Sequence, residues 1–132
     1  MTLSLITGGA GFIGSNLADQ LLAMGHKVTV VDNEYSDAHD QFYWNENTYN
    51  VNCDIRDYKA LKNCMHGVDY VFHFAAEARI QPAIKNPIEA VSINSLGTCT
   101  VLQCAKEAGV KKVMYSSTSV SYTHLTLPTS LI

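Results

Sequence analysis

Three glycines near the amino terminus have the spacing of a phosphate-binding turn. Gly8, Gly11 and Gly14 form the pattern G-x-x-G-x-x-G between an apolar run and a stretch with helical spacing. Gly8 would permit a tight turn, Gly11 would let the backbone approach phosphates, and Gly14 would let a helix pack closely on a strand. The free N–H groups at the positive end of that helix would bind the anion. A flexible turn is the alternative interpretation.

An acidic residue follows these glycines at the distance typical of ribose recognition. Asp32 ends the second apolar run, roughly 20 residues after the glycines, as in dinucleotide-binding folds. Its carboxylate can accept hydrogen bonds from both ribose hydroxyls, but it would repel a 2′-phosphate. The neighbours Asn33 and Glu34 add no positive charge, and the first arginine is Arg56. These residues predict NAD, in preference to NADP, as the cofactor.

The chain alternates short apolar runs with longer amphipathic stretches, as β-α-β units do. We expect strands at residues 2–7, 28–31, 49–53, 68–74 and 112–115. We expect helices at residues 12–24, 58–65 and 88–108, the last of which begins after Pro87. Parallel strands joined by helices predict an α/β fold with a Rossmann-type doubly wound parallel sheet. In this chain the sheet is expected to stop after about five strands.

The composition is that of an ordinary globular domain. The 132 residues are 47% hydrophobic and 16% charged, with a formal net charge of −3, and they suffice for one domain. The chain is too apolar for disorder and not basic enough for a general nucleic-acid binder. Its apolar runs fall short of the roughly 20 residues that cross a bilayer, and no signal-peptide pattern opens it. We therefore expect a cytoplasmic protein that binds neither nucleic acid nor membranes.

No metal site is predicted from the sequence. Asp37, His39 and Asp40 fall in a long polar loop, where solvated side chains are expected rather than ligands. The cysteines lack the spacing of a zinc site or of a disulfide framework, so we expect free and mostly buried thiols. They are Cys53, Cys64, Cys99 and Cys104.

Five ordered motifs resemble those of the extended short-chain dehydrogenase/reductase superfamily, and within it the NAD-dependent nucleotide-sugar epimerases and dehydratases. After the glycine motif come Asp-Ile-Arg-Asp at 54–57, His-Phe-Ala-Ala at 73–76, Asn94, and Tyr-Ser-Ser-Thr at 115–118. The resemblance covers residues 1–119.

The resemblance implies a set of NAD contacts. Backbone N–H groups of Phe12 and Ile13 would bind the pyrophosphate, and Asp54 and Ile55 would flank the adenine. A helix N-cap is the structural alternative for Asp54 and is compatible with that role. The implied cofactor-binding residues are Gly8, Gly11, Phe12, Ile13, Gly14, Asp32, Asn33, Asp54, Ile55, Phe74, Ala75, Ala76, Asn94 and Ser116.

Some of these implied roles have structural alternatives. Residues 74–76 would let the chain pass close to the cofactor, or would simply pack the end of a strand. Asn94 would lie near the nicotinamide half of the site, or on the solvent side of its helix. His73 is interpreted as a hydrogen-bonded histidine at a strand end, not as a catalyst. Residues 77–81 would form the mouth for the substrate, where Arg79 would meet a diphosphate or be surface charge.

Thr118 is implied to be catalytic, through a hydrogen bond to the sugar hydroxyl that is oxidised; turn formation is its structural alternative. The proton would be taken by the tyrosine of a Y-x-x-x-K motif, whose pKa is lowered by the lysine and the nicotinamide. That motif is expected some tens of residues after Thr118, beyond the end of this chain. The chain by itself is therefore expected to be inactive.

The last residues do not follow the pattern of the family. From Val120 the sequence runs Val-Ser-Tyr-Thr-His-Leu-Thr-Leu-Pro-Thr, which resembles the translation of a transposase adaptor used in sequencing libraries. We expect residues 1–119 to be an incomplete NAD-binding Rossmann domain and residues 120–132 to be a non-native, adaptor-derived tail. A genuine short protein with an unusual tail is the alternative.

For the parent protein, the resemblance implies an epimerase that moves a hydride from C4 of a nucleotide sugar to NAD and returns it to the other face, so that NAD is recycled. A UDP-sugar is the expected substrate and a homodimer the expected assembly. The alternatives are a nucleotide-sugar dehydratase or reductase of the same superfamily, and a non-catalytic NAD-binding module.

Overall fold

The computed structural model describes residues 1–35, 42–77 and 80–116, without the side chain of Ile80. Five strands are present in this part of the chain: β1 (Leu3–Thr7), β2 (Lys27–Asp32), β3 (Tyr49–Asn52), β4 (Tyr70–His73) and β5 (Lys112–Tyr115). The helices are α1 (Phe12–Ala23), α2 (Tyr58–Cys64), α3 (Ile80–Lys85), α4 (Pro87–Val91) and α5 (Gly97–Ala108). A π-helical turn, Ser92–Leu96, joins α4 to α5.

The strands form one parallel sheet in the order β3-β2-β1-β4-β5. The predicted Rossmann-type sheet is therefore confirmed. The chain starts in the middle at β1, runs outward to β3, and then crosses back to β4 on the other side of β1. Thr7 at the end of β1 lies opposite Val31 of β2 and His73 of β4. The carboxyl ends of three strands thus meet at the position where the strand order reverses, which is the usual ligand site of such sheets.

Two hydrophobic cores hold the helices on opposite faces of the sheet, because successive side chains of a strand point to opposite faces. The core under α2 and α5 includes Leu5, Val31, Val71, Leu61, Val101 and Cys104. The core under α1 includes Ile6, Val28, Val30, Ala18 and Leu21. Burial of each large aliphatic side chain stabilises the fold by roughly 1.5–3 kcal/mol, so these cores anchor the strand ends that form the site.

The predicted helix over residues 88–108 is present but interrupted. Instead of one α-helix, it consists of α4, the π-helical turn and α5. A π-helical turn accommodates one extra residue per turn and is frequent at functional sites. No proline or glycine inside residues 92–96 marks it, and so the regular spacing of the sequence predicted an unbroken helix.

Helix α3 was not predicted, because its six residues are too few for a helical pattern and include Pro82. Proline is tolerated in a first turn, where the backbone N–H groups have no partner within the helix. All four cysteines are free thiols; Cys53 and Cys104 are buried, Cys64 is half-buried and Cys99 is exposed. Across the part of the chain that the structure describes, no helix has the length and apolar character needed to span a membrane.

Candidate functional site

The turn between β1 and α1 is compact because two of its glycines leave no room for a side chain. Gly8 has a φ of 67°, and its N–H donates to the Val31 carbonyl at 2.8 Å. A Cβ on Gly8 would lie 2.9 Å from the backbone nitrogen of Ala75, and a Cβ on Gly14 would overlap the Gly8 carbonyl oxygen. The glycine positions thus bring α1 and the end of β4 against the turn, as predicted for Gly8 and Gly14.

The amino terminus of α1 points its backbone donors into the space beside this turn. Its N-cap, Gly11, provides no side-chain hydrogen bond, and the first turn contains no acidic residue. The first backbone bond of the helix runs from Ser15 N–H to the Gly11 carbonyl. A helix end of this kind carries a partial positive charge on free N–H groups, and it can bind an anion such as a phosphate.

Asp32 lies at the end of β2 and forms the adjoining wall of the site. Its carboxylate is buried and accepts hydrogen bonds from Ala10 N–H at 3.1 Å and from Glu34 N–H at 2.7 Å. Burial raises the pKa of Asp32, while these two hydrogen bonds partly oppose the shift. The carboxylate therefore ties the glycine turn to the segment after β2, and its remaining lone pairs can accept hydroxyl donors.

The end of β3 carries a second carboxylate, Asp54, which is held by Arg56. The Arg56 guanidinium donates to Asp54 through Nε at 3.0 Å and through Nη2 at 2.6 Å. Hydrogen bonding to Arg56 lowers the pKa of Asp54. The N-cap alternative for Asp54 is wrong: α2 is capped by Asp57, whose carboxylate accepts from Ala60 N–H at 3.2 Å. Asp57 directly precedes the helix, whereas Asp54 lies one turn too early.

His73 is fully hydrogen-bonded at the end of β4, as the sequence predicted. Its Nδ1 lies 2.7 Å from the Thr7 hydroxyl and its Nε2 lies 3.0 Å from the Thr98 hydroxyl. The Thr98 hydroxyl donates to the Asn94 carbonyl, so it must accept from the imidazole, which places the ring proton on Nε2. Burial lowers the pKa of His73 to about 4. The ring is therefore neutral near pH 7 and links β4 to Thr7 of β1 and to Thr98 of α5.

The Asn94 side chain is exposed, but it is not free. Its amide oxygen accepts from Glu77 N–H at 2.8 Å and its amide nitrogen donates to the Glu77 carbonyl at 2.9 Å. The π-helical turn thereby holds the segment that follows β4. Burial raises the pKa of Tyr35, and the charge of Glu77 and a hydrogen bond to it add to the shift. That contact connects the segments after β2 and β4 across the site.

These elements surround a cavity of about 400 Å³ at the carboxyl end of the sheet. Of the residues predicted to bind the cofactor, all except Asn94 line it, and the neighbouring Ile93 reaches the cavity instead. The other lining residues were not predicted from their sequence positions to bind the cofactor. These are Val31, Tyr35, Phe42, Cys53, Glu77 and Ile93. Four of them adjoin a predicted cofactor-binding residue, which is a signal the sequence did contain: Val31, Cys53, Glu77 and Ile93.

Several predicted residues lie outside the described part of the chain. They are Thr118, Ala78, Arg79, Asp37, His39 and Asp40. Among the described residues, no group of three or more His, Cys, Asp or Glu side chains is placed to hold a metal ion.

The Y-x-x-x-K spacing, which was expected only beyond the end of this chain, does occur within it at Tyr58 and Lys62, but neither residue lines the cavity. Tyr58 and Lys62 lie on α2, where Lys62 Nζ is 5.6 Å from the centre of the Tyr58 ring. The Tyr58 hydroxyl donates to Glu107 of α5, and this hydrogen bond raises the pKa of Tyr58. A general base needs a lowered pKa and access to substrate, so this pair is a surface contact between two helices.

The chain is similar to nucleotide-sugar enzymes in both sequence and structure. It matches the model of the NAD-dependent epimerase/dehydratase family over residues 4–130. It is 41% identical to a UDP-N-acetyl-alpha-D-glucosaminuronate decarboxylase of Bacillus cytotoxicus, over 96% of this chain and 39% of that protein. It is 39% identical to a UDP-glucose 4-epimerase of Halalkalibacterium halodurans, over 89% of this chain and 35% of that protein.

A solved structure shares the fold at a TM-score of 0.81 and 30% identity: a UDP-glucose 4-epimerase from Stenotrophomonas maltophila with bound NAD and formylated UDP-arabinopyranose. The match covers 96% of this chain and 41% of that one. The chain thus spans about two-fifths or less of the length of these relatives. Because the family model matches almost its entire length, the chain belongs to the NAD-dependent epimerase/dehydratase family.

Proposed function

We propose that the cavity at the carboxyl end of the sheet binds NAD. The observation that carries the proposal is the placement of the uncapped α1 terminus and the Asp32 carboxylate on adjoining walls of one cavity. The pyrophosphate would accept from the N–H groups of Phe12 and Ile13, with Gly11 keeping the approach open. The ribose hydroxyls of the adenosine would donate to Asp32, with Asn33 beside them.

The remaining lining residues support the same orientation. Asp54 and Ile55 would flank the adenine, because they lie beyond Asp32 at the next strand end. Residues 74–76 and Ser116 would line the path toward the nicotinamide, and all four reach the cavity. Asn94 would act on this half of the site through its two hydrogen bonds to the Glu77 backbone.

Calorimetric titration of the 132-residue chain with NAD and with NADP tests this proposal. We expect saturable binding of NAD and at least tenfold weaker binding of NADP, because the 2′-phosphate would face the Asp32 carboxylate. Far-UV circular dichroism of the same sample establishes that the chain is folded. A folded chain that binds neither dinucleotide would refute the proposal.

For the parent protein we propose epimerisation at C4 of a UDP-sugar. NAD, when bound, supplies the site that accepts a hydride from the sugar and returns it. This chain would hold the dinucleotide, and Thr118 would position the sugar hydroxyl by a hydrogen bond. The similarity to an epimerase and to a nucleotide-sugar decarboxylase supports a UDP-sugar substrate. Decarboxylation, dehydration or reduction in the same superfamily is the alternative. Product analysis with UDP-glucose and UDP-glucuronate separates these activities.

We further propose that the parent protein is a cytoplasmic homodimer. Large apolar side chains are exposed along α3, α4, the π-helical turn and α5, which supports an interface there. They are Ile84, Ile88, Val91, Leu96 and Leu102. Light scattering after gel filtration of the parent protein tests the assembly: a dimer is expected, and a monomer that persists at high concentration would overturn it.

We also propose that residues 1–119 belong to the NAD-binding domain and that residues 120–132 derive from an adaptor. The ten-residue sequence from Val120 to Thr129 supports this proposal, although the match to the family model extends to residue 130. Resequencing of the source locus tests it. We expect the native reading frame to differ from this sequence after Ser119, and an intact frame that ends at Ile132 would overturn it.

A further inference from the structure

Arg56 occupies a central position between two walls of the cavity, although it does not line the cavity itself. Two of its nitrogens bind Asp54, as described above. The third, Nη1, lies 3.1 Å from Glu89 Oε1 of α4 and 3.1 Å from the Ser92 hydroxyl of the π-helical turn. The planar guanidinium thus connects the end of β3 to the helix that carries Ile93. A lysine ammonium could not make these contacts in the same fixed geometry.

The hydrogen bonds of Asp54 leave one of its oxygens with spare acceptor capacity. Oδ1 accepts from Arg56 N–H at 2.8 Å and from Arg56 Nε at 3.0 Å. Oδ2 accepts from Arg56 Nη2 at 2.6 Å and has a long contact of 3.4 Å with the Asn33 amide. Since a carboxylate oxygen has two lone pairs, Oδ2 can accept one more strong hydrogen bond, and Asp54 lines the cavity.

The position of Asp54 relates this spare acceptor to the base of a bound dinucleotide. From the α1 terminus, the cavity runs past Asp32 at the end of β2 to Asp54 after β3. If the phosphates lie at α1 and the ribose at Asp32, the base lies at Asp54. An exocyclic amino group is a donor and suits an ionised carboxylate there, whereas a ring carbonyl oxygen is an acceptor and is repelled.

We propose that Arg56 is a positioning residue for base recognition: by fixing the orientation of the Asp54 carboxylate, it makes the site select adenine over hypoxanthine. This inference rests on the proposed binding of NAD. Arg56 acts through Asp54 and does not contact the cofactor. Its bonds to Glu89 and Ser92 hold the guanidinium in place, and they are not themselves the basis of selectivity.

The test compares the affinities of NAD and nicotinamide hypoxanthine dinucleotide by calorimetric titration. The two ligands differ only at one edge of the base: adenine has an amino donor at C6 and an acceptor at N1, whereas hypoxanthine has a carbonyl at C6 and an N–H donor at N1. We expect the wild-type chain to bind NAD about tenfold or more tightly than the hypoxanthine analogue, because a hydrogen bond to a charged acceptor is replaced by repulsion between oxygens. Arg56→Gln should reduce this ratio at least about threefold, and Arg56→Lys should give an intermediate ratio.

A control variant separates base recognition from structural support. Lys59→Gln removes an exposed charge from α2 and should keep the wild-type ratio of the two affinities. An Arg56→Gln variant that loses affinity for both ligands equally would show that Arg56 is only structural. If that variant does not fold, a wild-type ratio in Arg56→Lys would overturn the inference.

The wild-type chain distinguishes this inference from the proposed function. Equal affinity for the two dinucleotides would refute base recognition by Asp54 but leave NAD binding intact. The absence of binding to both would refute the proposed function itself.

Discussion

His73 shows how burial fixes the chemistry of a single residue. Both ring nitrogens have hydroxyl partners, and the direction of the Thr98 hydrogen bond determines which nitrogen holds the proton. The conformation of the ring is thus set by β1 and the first turn of α5, which are far from it in sequence. A second proton would remove the acceptor that the Thr7 hydroxyl needs, so protonation disrupts the network.

This state of His73 predicts a specific dependence of stability on pH. The pKa of His73 is about 4 in the folded chain, below the usual 6.5 of an unfolded histidine. Between these values the unfolded chain binds a proton that the folded chain does not. The free energy of unfolding should therefore fall, by roughly 3 kcal/mol in total, as the pH is lowered from 6.5 to about 4.

Urea unfolding of the wild type and of His73→Gln between pH 7 and pH 4 measures this effect. The difference between the two curves isolates His73, since all other groups titrate in both proteins. His66→Gln, at an exposed position, is the matched control and should run parallel to the wild type. Parallel curves for the wild type and His73→Gln would contradict the prediction.

Asp32 predicts the choice between the two nicotinamide dinucleotides. Asp32→Arg should reverse the preference, lowering NAD affinity and raising NADP affinity about tenfold each, because repulsion of the 2′-phosphate becomes an ion pair. Titration with both ligands measures the ratio. Glu46→Gln, an exposed charge change, serves as the control. If a folded Asp32→Arg variant keeps the wild-type ratio of NAD affinity to NADP affinity, the ribose does not lie at Asp32. If that variant does not fold, Asp32→Asn is used instead and should bring the two affinities closer together.

At the scale of elements, the π-helical turn is what brings α4 and α5 to the site. Its Asn94 side chain makes two hydrogen bonds to the Glu77 backbone, and its Ile93 reaches the cavity. The turn therefore serves as a clamp on the segment after β4. This function explains an irregularity in a helix whose apolar spacing would otherwise favour a regular α-helix.

Asn94→Ala should remove this clamp. We expect the free energy of unfolding to fall by about 1–2 kcal/mol, because the backbone of the buried residue Glu77 loses two hydrogen bonds, and NAD affinity to fall with it. Urea unfolding and NAD titration measure the two effects. Asn94→Asp keeps only the hydrogen bond from Glu77 N–H, so its stability and NAD affinity should lie between those of the wild type and Asn94→Ala. Ser95→Ala, at the next exposed position, is the control and should match the wild type. Wild-type values for Asn94→Ala in both measurements would exclude the clamp.

Element prediction succeeded where the signal was local. All five strands were predicted to within one or two residues, because β-branched and apolar runs such as that of β2 suit a strand buried on both faces. Helix α3 and the π-helical turn were missed. Their residues carry no distinctive pattern, and the π-helical turn contacts the segment after β4 through Asn94 and Arg56 through Ser92, which no local pattern predicts.

At the scale of the whole molecule, the position of the cavity follows from the strand order. The sheet reverses between β1 and β4, so the helices connected to these strands leave on opposite faces and open a crevice at their carboxyl ends. The walls of the cavity come from α1, from the π-helical turn and from the segments after β1, β2, β3, β4 and β5. No single part of the chain could form it.

The position of Tyr58 and Lys62 in the fold predicts the activity of the 132-residue chain. We expect no interconversion of UDP-glucose and UDP-galactose, because Tyr58 and Lys62, the pair with the required spacing, lie on the surface of α2. A coupled assay with added NAD measures this. Conversion by the wild-type chain would refute the prediction, and Tyr58→Phe would then show whether Tyr58 is responsible.

The sequence by itself determined the parallel α/β architecture, the glycine turn and the acidic residue that lies beside it, because these depend on patterns within short segments. Only the tertiary structure showed that Arg56 connects Asp54 to the long helix, that Asn94 holds Glu77, and that Tyr58 is excluded from the site. These contacts join residues that are well separated in the chain. Such contacts depend on how the two cores pack the helices against the sheet, and no local pattern encodes them.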